Sequence, residues 1–227
     1  MTQNTEWTGH LWLGRDYGLI HGKLGRTAPH AHYAHQLILA PDRPVTVNLD
    51  GVNQTAHRLF IPSQICHSIV EAPDVVFTVY AEPLMFDNQV LNNVVFKAAL
   101  SLESLDHAVR HCPRRSLGDP RIERALSTLD GLLTTKVPAS ALAAEAHLSL
   151  SQLQRLFASH LGLPVRRLVL WRRLRLSMVL ILAGSAVTDA AHEAGFADSA
   201  HFSRSLKKLF GVTARQALQH IDLRLLA

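Results

Sequence analysis

The sequence has little cysteine. Cys66 and Cys112 are the two in 227 residues, and they lie far apart. That excludes a disulfide framework and the paired-cysteine spacing of a structural zinc module. Long hydrophobic runs are missing too: the apolar stretch Leu176–Ala183 is too short to span a bilayer and has arginines on its flank. The opening MTQNTEWTGH has no basic stretch followed by an apolar one, so no signal peptide is expected. These absences read as a soluble, cytoplasmic protein with no membrane partner. Disorder is excluded from the other side, because 48% of the residues are hydrophobic, enough to build cores.

What is present is unevenly placed. Residues 1–112 hold 7 Lys and Arg against 10 Asp and Glu, whereas residues 113–227 hold 16 against 8. A mildly acidic first half is thus joined to a strongly basic second half, which suits a polyanion partner. The length fits one large or two small domains. Residues 1–85 read as β: the short apolar stretches Gln36–Leu39, Val45–Leu49, Leu59–Ile61 and Val75–Tyr80 are separated by turn residues such as Pro41-Asp42 and Asp50-Gly51. Many short strands at this spacing predict a small antiparallel barrel or sandwich. Residues 86–112 change period and predict one or two helices, broken near Ser101, able to pack within the chain or on a second subunit. The polar stretch 111–118 reads as a linker.

From Asp119 on the pattern is helical throughout. Asp119 caps a first helix with Pro120 at its first position. A second helix starts near Pro138, and His147 occupies the corner before a third. Ser149-Leu150-Ser151-Gln152 opens that third helix as a capping box. A long helix follows from Pro164 to about Ala183, with Leu168, Trp171, Leu174, Met178 and Ile181 expected to be buried. It also carries Arg166, Arg167, Arg172, Arg173 and Arg175, which either reach phosphates or form a solvated face. The stretch Gly195–Gly211, GFADSAHFSRSLKKLFG, predicts a further helix capped by Asp198, with Phe202, Leu206 and Leu209 facing inward.

GF, then four residues, then HFSRSLKKLFG resembles the signature of the AraC/XylS family of transcriptional regulators, and a second unit upstream, LSLSQLQRLF, matches as well. The resemblance covers roughly residues 119–221. It implies an all-α domain with two helix-turn-helix units joined by a long helix, and double-stranded promoter or operator DNA as the partner. Two recognition helices in successive major grooves would lie about 34 Å apart. Ser151, Gln152, Gln154 and Arg155 in the first unit, and Ser199, Ala200, His201, Ser203 and Arg204 in the second, are then the DNA-binding candidates. Gln suits adenine and Arg suits guanine; Arg204 could equally contact phosphate or brace the domain. The sequence departs from the family at His147, where Gly is commonest, at Ala190, where a larger apolar residue is usual, and after Thr213, where Ala214 replaces a Pro. That last change leaves the start of the final helix less firmly set.

In the first half, PHAHYAHQLIL places His30, His32 and Gln36 on one face if the stretch is a strand, with His35 on the other. His67 follows on a later strand. This resembles the cupin pattern, with Gln36 where an acid is usual, and cupin-like sensor domains commonly precede AraC-type DNA-binding domains. The resemblance implies three readings: a divalent transition metal on His30, His32, Gln36 and His67, an organic effector in the barrel mouth, or histidines that satisfy polar neighbours. The whole chain therefore reads as a cupin-like effector domain at 1–85, a helical linker at 86–118 suited to homodimer contact, and a DNA-binding domain at 119–227. The implied function is a regulator responding to a small molecule or metal ion, with RNA polymerase as a partner if it activates. The competing function is a metal-dependent cupin enzyme; no catalytic acid–base pair stands out near the histidines.

Overall fold

The structure, a computed structural model, describes residues 7–226. The chain divides into two compact units. One runs up to Arg115 and also takes in the chain from Leu206 onward; the other is Ser116–Ser205.

Among the described residues the first unit holds nine strands: β1 Thr8–Leu13, β2 Tyr17–Lys23, β3 His35–Leu39, β4 Val45–Leu49, β5 Val52–Ala56, β6 Arg58–Ile61, β7 His67–Glu71, β8 Val76–Ala81 and β9 Ile221–Leu225. They form a six-stranded sheet in the order β6-β3-β8-β2-β1-β9 and a three-stranded sheet β5-β4-β7. All ladders are antiparallel except β1 with β9, which is parallel. The expected cupin-like barrel is therefore not closed. β9 lies beside β1 at one edge of the large sheet, and between the described residues of the two sheets there is no ladder.

Alternation decides the faces of the large sheet. Tyr17 and Leu19 of β2, Leu37 and Leu39 of β3, and Phe77 and Val79 of β8 form one apolar face. It is covered by α1, Asn88–Lys97, and α2, Leu102–Arg110, through Leu91, Val95, Leu105 and Val109. Ser101 separates the two helices by capping α2, its hydroxyl accepting from the Ser104 N–H. The helices expected as a linker are thus part of this core. Arg114 fastens their end: its guanidinium makes two 2.9 Å hydrogen bonds to Asp16 and lies 4.2 Å from the centre of the Phe86 ring. The other face of the sheet carries Gln36, Ile38, Thr78 and Tyr80, all buried.

The second unit is helical: α3 Pro120–Gly131, α4 Ala139–Glu145, α5 Leu150–Leu161, α6 Val165–Leu182, α7 Val187–Glu193 and the first part of α8, Ser199–Phe210. The caps are those read from the sequence. Asp119 accepts from the Arg121 N–H, and Ser149 and Gln152 form a reciprocal box. In α6 Leu168, Trp171, Leu174 and Ser177 are buried, while Met178 and Ile181 are half-buried rather than core. Beyond α8 the all-helical expectation fails. The short α9, Ala214–Leu218, begins at a capping box between Thr213 and Gln216, so its start is firmly set without the missing proline. The chain then becomes β9.

His147 closes the corner between α4 and α5 with φ +55°, a left-handed conformation costly for a side chain with a Cβ. It is exposed, so no packing depends on it. His147→Gly is expected to gain about 0.5 kcal/mol and His147→Val to lose about 1–2 kcal/mol in thermal unfolding. Equal melting for all three would show that the corner carries no strain.

Candidate functional site

Each helix-turn-helix corner in the second unit presents a capped helix. In α5 Leu153 and Phe157 are fully buried, which leaves Ser151, Gln152, Gln154 and Arg155 exposed. Gln152 is partly committed, since its amide oxygen accepts the Ser149 N–H at 2.8 Å; the amide NH2 faces outward from that bond. In α8 Phe202 is fully buried, Ala200 and Arg204 are exposed, and Ser199, His201 and Ser203 are half-buried. The His201 ring sits edge-on to Phe196 at 5.2 Å, which fixes it at the start of the helix. Arg204 lies 3.9 Å from Asp198, a loose pair between two exposed groups. Such a pair contributes little and leaves the guanidinium usable by a phosphate or a base.

The arginines of α6 divide into two kinds. Arg172 grips Asp130 of α3 with bonds of 3.0 and 2.9 Å, and Arg173 donates to the Leu133 carbonyl at 2.9 Å and to the Thr135 carbonyl. These two hold α6 to the α3 end and are structural. Arg166 is exposed on the first turn of α6.

The histidines of the first unit converge, although not by the expected route. Residues 31–34 lie outside any strand, with a bend at 33–34, and β3 begins only at His35, so His30 and His32 do not share a strand face with Gln36. A single bridge pairs His30 with His67, and the bend brings His32 beside them. The three side chains are buried, and their metal-ligating ring nitrogens lie within 4.8 Å of one another. Gln36 reaches in from β3: its Oε1 lies 3.2 Å from His32 Nε2 and 3.0 Å from His67 Nε2. His35 points the other way, as read from the sequence; its Nδ1 accepts the Ser63 N–H at 3.0 Å.

The protons on these rings can be placed by their partners. His30 Nδ1 lies 2.8 Å from the Ala28 carbonyl, His32 Nδ1 2.9 Å from the Ala34 carbonyl, and His67 Nδ1 2.9 Å from the Ile65 carbonyl. A carbonyl only accepts, so each Nδ1 carries the proton and donates. A neutral imidazole has one such proton, and these rings are neutral. Burial, then the neighbouring imidazole of His67, lowers His30 to about 4 and His32 to about 3; burial also lowers His67. Three Nε2 lone pairs and the Gln36 oxygen therefore face one small space with no N–H among them. Backbone carbonyls that orient ring N–H groups in this way are the outer support that ligating histidines characteristically have. The residues fit a divalent transition metal, which takes imidazole nitrogen at about 2.0–2.1 Å.

Three contributors to this site were not read from the sequence. Tyr80 of β8 accepts from the Gln36 Nε2 at 3.1 Å; burial pushes its phenol up, so it stays protonated. Its place two residues beyond Thr78 on the same face of β8 was the available signal. The Phe210 ring lies 5.6 Å from His32 and 5.8 Å from Tyr80. Gly211 follows it, with its carbonyl accepting the Ala28 N–H at 3.1 Å. Nothing near Phe210 in sequence signals its neighbours.

The architecture defines a class: a β unit joined to a helical unit bearing two helix-turn-helix corners. A sequence family described as a helix-turn-helix domain matches residues 142–220. Among solved structures the chain is similar to ToxT from Vibrio cholerae O395 bound to (E)-4-(8-methylnaphthalen-1-yl)but-3-enoic acid. Identity is 12% and the TM-score 0.60, over 91% of this chain and 99% of that one. Unsaturated fatty acid-bound ToxT from strain SCE256 matches at 12% identity and TM-score 0.59, covering 96% of each chain. A transcriptional regulator with an AraC-type DNA-binding domain from Chromobacterium violaceum is 24% identical over 44% of this chain and 94% of its own, with a TM-score of 0.40. None of the curated proteins matches the chain. Residues 142–220 thus match a helix-turn-helix domain, and the chain as a whole shares its fold with ToxT. Among the described residues, no helix is long and apolar enough to cross a membrane.

Proposed function

We propose that the chain is a sequence-specific DNA-binding transcription regulator whose first unit holds its effector, a divalent transition metal ion on His30, His32, Gln36 and His67. The observation that carries the regulator reading is the pair of capped helices, α5 and α8. Each follows a tight corner, each is seated by a fully buried phenylalanine, and each leaves a polar face outward. Gln154 and Arg155 read bases from α5; Ser199, Ala200, His201, Ser203 and Arg204 contact DNA from α8. The net charge of the second half supplies the attraction to phosphate. A ligand-holding first unit is supported by the converging histidines.

A duplex selected from a random pool by the full chain provides the test. Affinity should fall steeply with salt, since each phosphate neutralised adds close to one unit of slope. Arg155→Ala should cost about 1–3 kcal/mol on the selected duplex and much less on a scrambled one. A loss equal on both would show that Arg155 does not read bases, and a flat salt dependence would remove the DNA reading.

A further inference from the structure

The histidine cluster is closed on one side by the end of α8. Residues from Leu206 onward belong to the first unit, while the same helix begins, at Ser199, in the second. Phe210, its last residue, lays its ring against His32 and edge-on to Tyr80. Gly211 then turns the chain with φ +69° and packs directly on the Ala28 carbonyl, the group that accepts the His30 Nδ1 proton. The fit is tight: a Cβ at position 211 would lie 2.4 Å from that carbonyl oxygen and 2.7 Å from His30 Nδ1. The Ala28 N–H in turn donates to the Gly211 carbonyl. Two of the three histidines are thus held, one through its ring and one through its carbonyl partner, by the last two residues of this turn.

The ring nitrogens span up to 4.8 Å. Donors sharing one ion at about 2.0–2.1 Å sit roughly 3.3 Å apart in a tetrahedral arrangement. Occupancy therefore requires the widest pair of rings to draw together, and every pair among the three includes His30 or His32, beside which Gly211 and Phe210 rest. We infer that the Phe210–Gly211 turn is a lid on the histidine site through which a bound divalent metal and DNA on the other end of α8 influence each other. The inference rests on the metal reading of the site. Such a coupling is reciprocal, and its usual size is about 5–150-fold in affinity.

Cobalt(II) is the probe, because its visible absorption reports the ligand set directly. The full-length wild type, Phe210→Ala and His67→Ala are titrated with cobalt, and each is then titrated with the selected duplex in chelator and in saturating cobalt. The wild type should bind cobalt and change its DNA affinity at least fivefold between the two conditions. His67→Ala should lose the absorption. Phe210→Ala should shift cobalt affinity and reduce the change in DNA affinity to under twofold. If Phe210→Ala does not fold by circular dichroism, Phe210→Leu carries the same comparison. Cobalt binding with an unaltered linkage in the Phe210 variant overturns the lid and leaves the metal site standing. Absence of cobalt binding to the wild type overturns the metal reading and the lid with it.

Discussion

Phe202→Ala is expected to remove about 3–5 kcal/mol of stability and, with it, tight DNA binding. The Phe202 ring is fully buried and meets Phe196 edge-on at 5.6 Å. An aromatic pair of this kind is worth about 0.5–1.5 kcal/mol beyond its buried area. α8 has 12 residues, and a helix of that length is marginal in water without a partner. Deleting the ring leaves a cavity under the first turn of the helix, so Ala200 and Arg204 lose their fixed positions. Denaturant unfolding and a binding titration on the selected duplex measure both effects. Phe202→Leu, which keeps most of the volume, should cost no more than about 1.5 kcal/mol. Full affinity and an unchanged salt slope in Phe202→Ala would mean that α8 does not take part in binding.

Gln36→Glu is expected to raise cobalt or zinc affinity by on the order of tenfold or more, and to make the metal-free protein less stable by about 3–5 kcal/mol. The argument is the direction of one amide. In the structure its oxygen faces His32 and His67 and its nitrogen donates to Tyr80. That arrangement suits an ion. Turned by 180°, the same amide offers one N–H to each Nε2 and accepts from the Tyr80 hydroxyl, satisfying all four groups with no ion at all. A glutamine thus supports both a loaded and an empty site. A glutamate supports only the loaded one, because its carboxylate would face two lone pairs in a position where Gln36 is 1% exposed. Thermal unfolding in chelator and in saturating metal checks this. The gap between the two melting temperatures should widen sharply in Gln36→Glu, and an unchanged gap would show that position 36 does not meet the ion.

The contrast between these sites explains what could be read from residues alone. The helical unit was legible because its signals are local. Asp119-Pro120, Ser149 with Gln152, and Gly162 each act within one turn of backbone, and each does in the structure what its chemistry dictates. His147 was legible as a left-handed corner for the same reason. The grouping of His30, His32, Gln36 and His67 was anticipated, but through a strand that is absent at residues 31–34. A cross-strand bridge and a bend produce the cluster instead, and both depend on partners distant in sequence. Tyr80 and Phe210 could not be added without knowing which strand lies beside β3 and where the α8 end rests. β9 was missed for another reason. Ile221, Leu223 and Leu225 alternate with Asp222 and Arg224, a two-residue period, but five residues after a run of helices are easily absorbed into the helical reading. What fixes the segment as a strand is its company: Asp222 beside His10 at 3.5 Å and Arg224 over the Trp12 ring at 4.7 Å.

That pairing sets the timetable of synthesis. β1, at Thr8–Leu13, is translated long before its parallel neighbour Ile221–Leu225. At about 5–20 residues per second the interval is on the order of 10–40 s. Throughout it the nascent sheet carries an open flank of unpaired N–H and C=O groups, a template for another nascent chain. Any truncation before Ile221 would make that temporary exposure permanent, so prematurely terminated chains should aggregate through the β half while their helical half still folds.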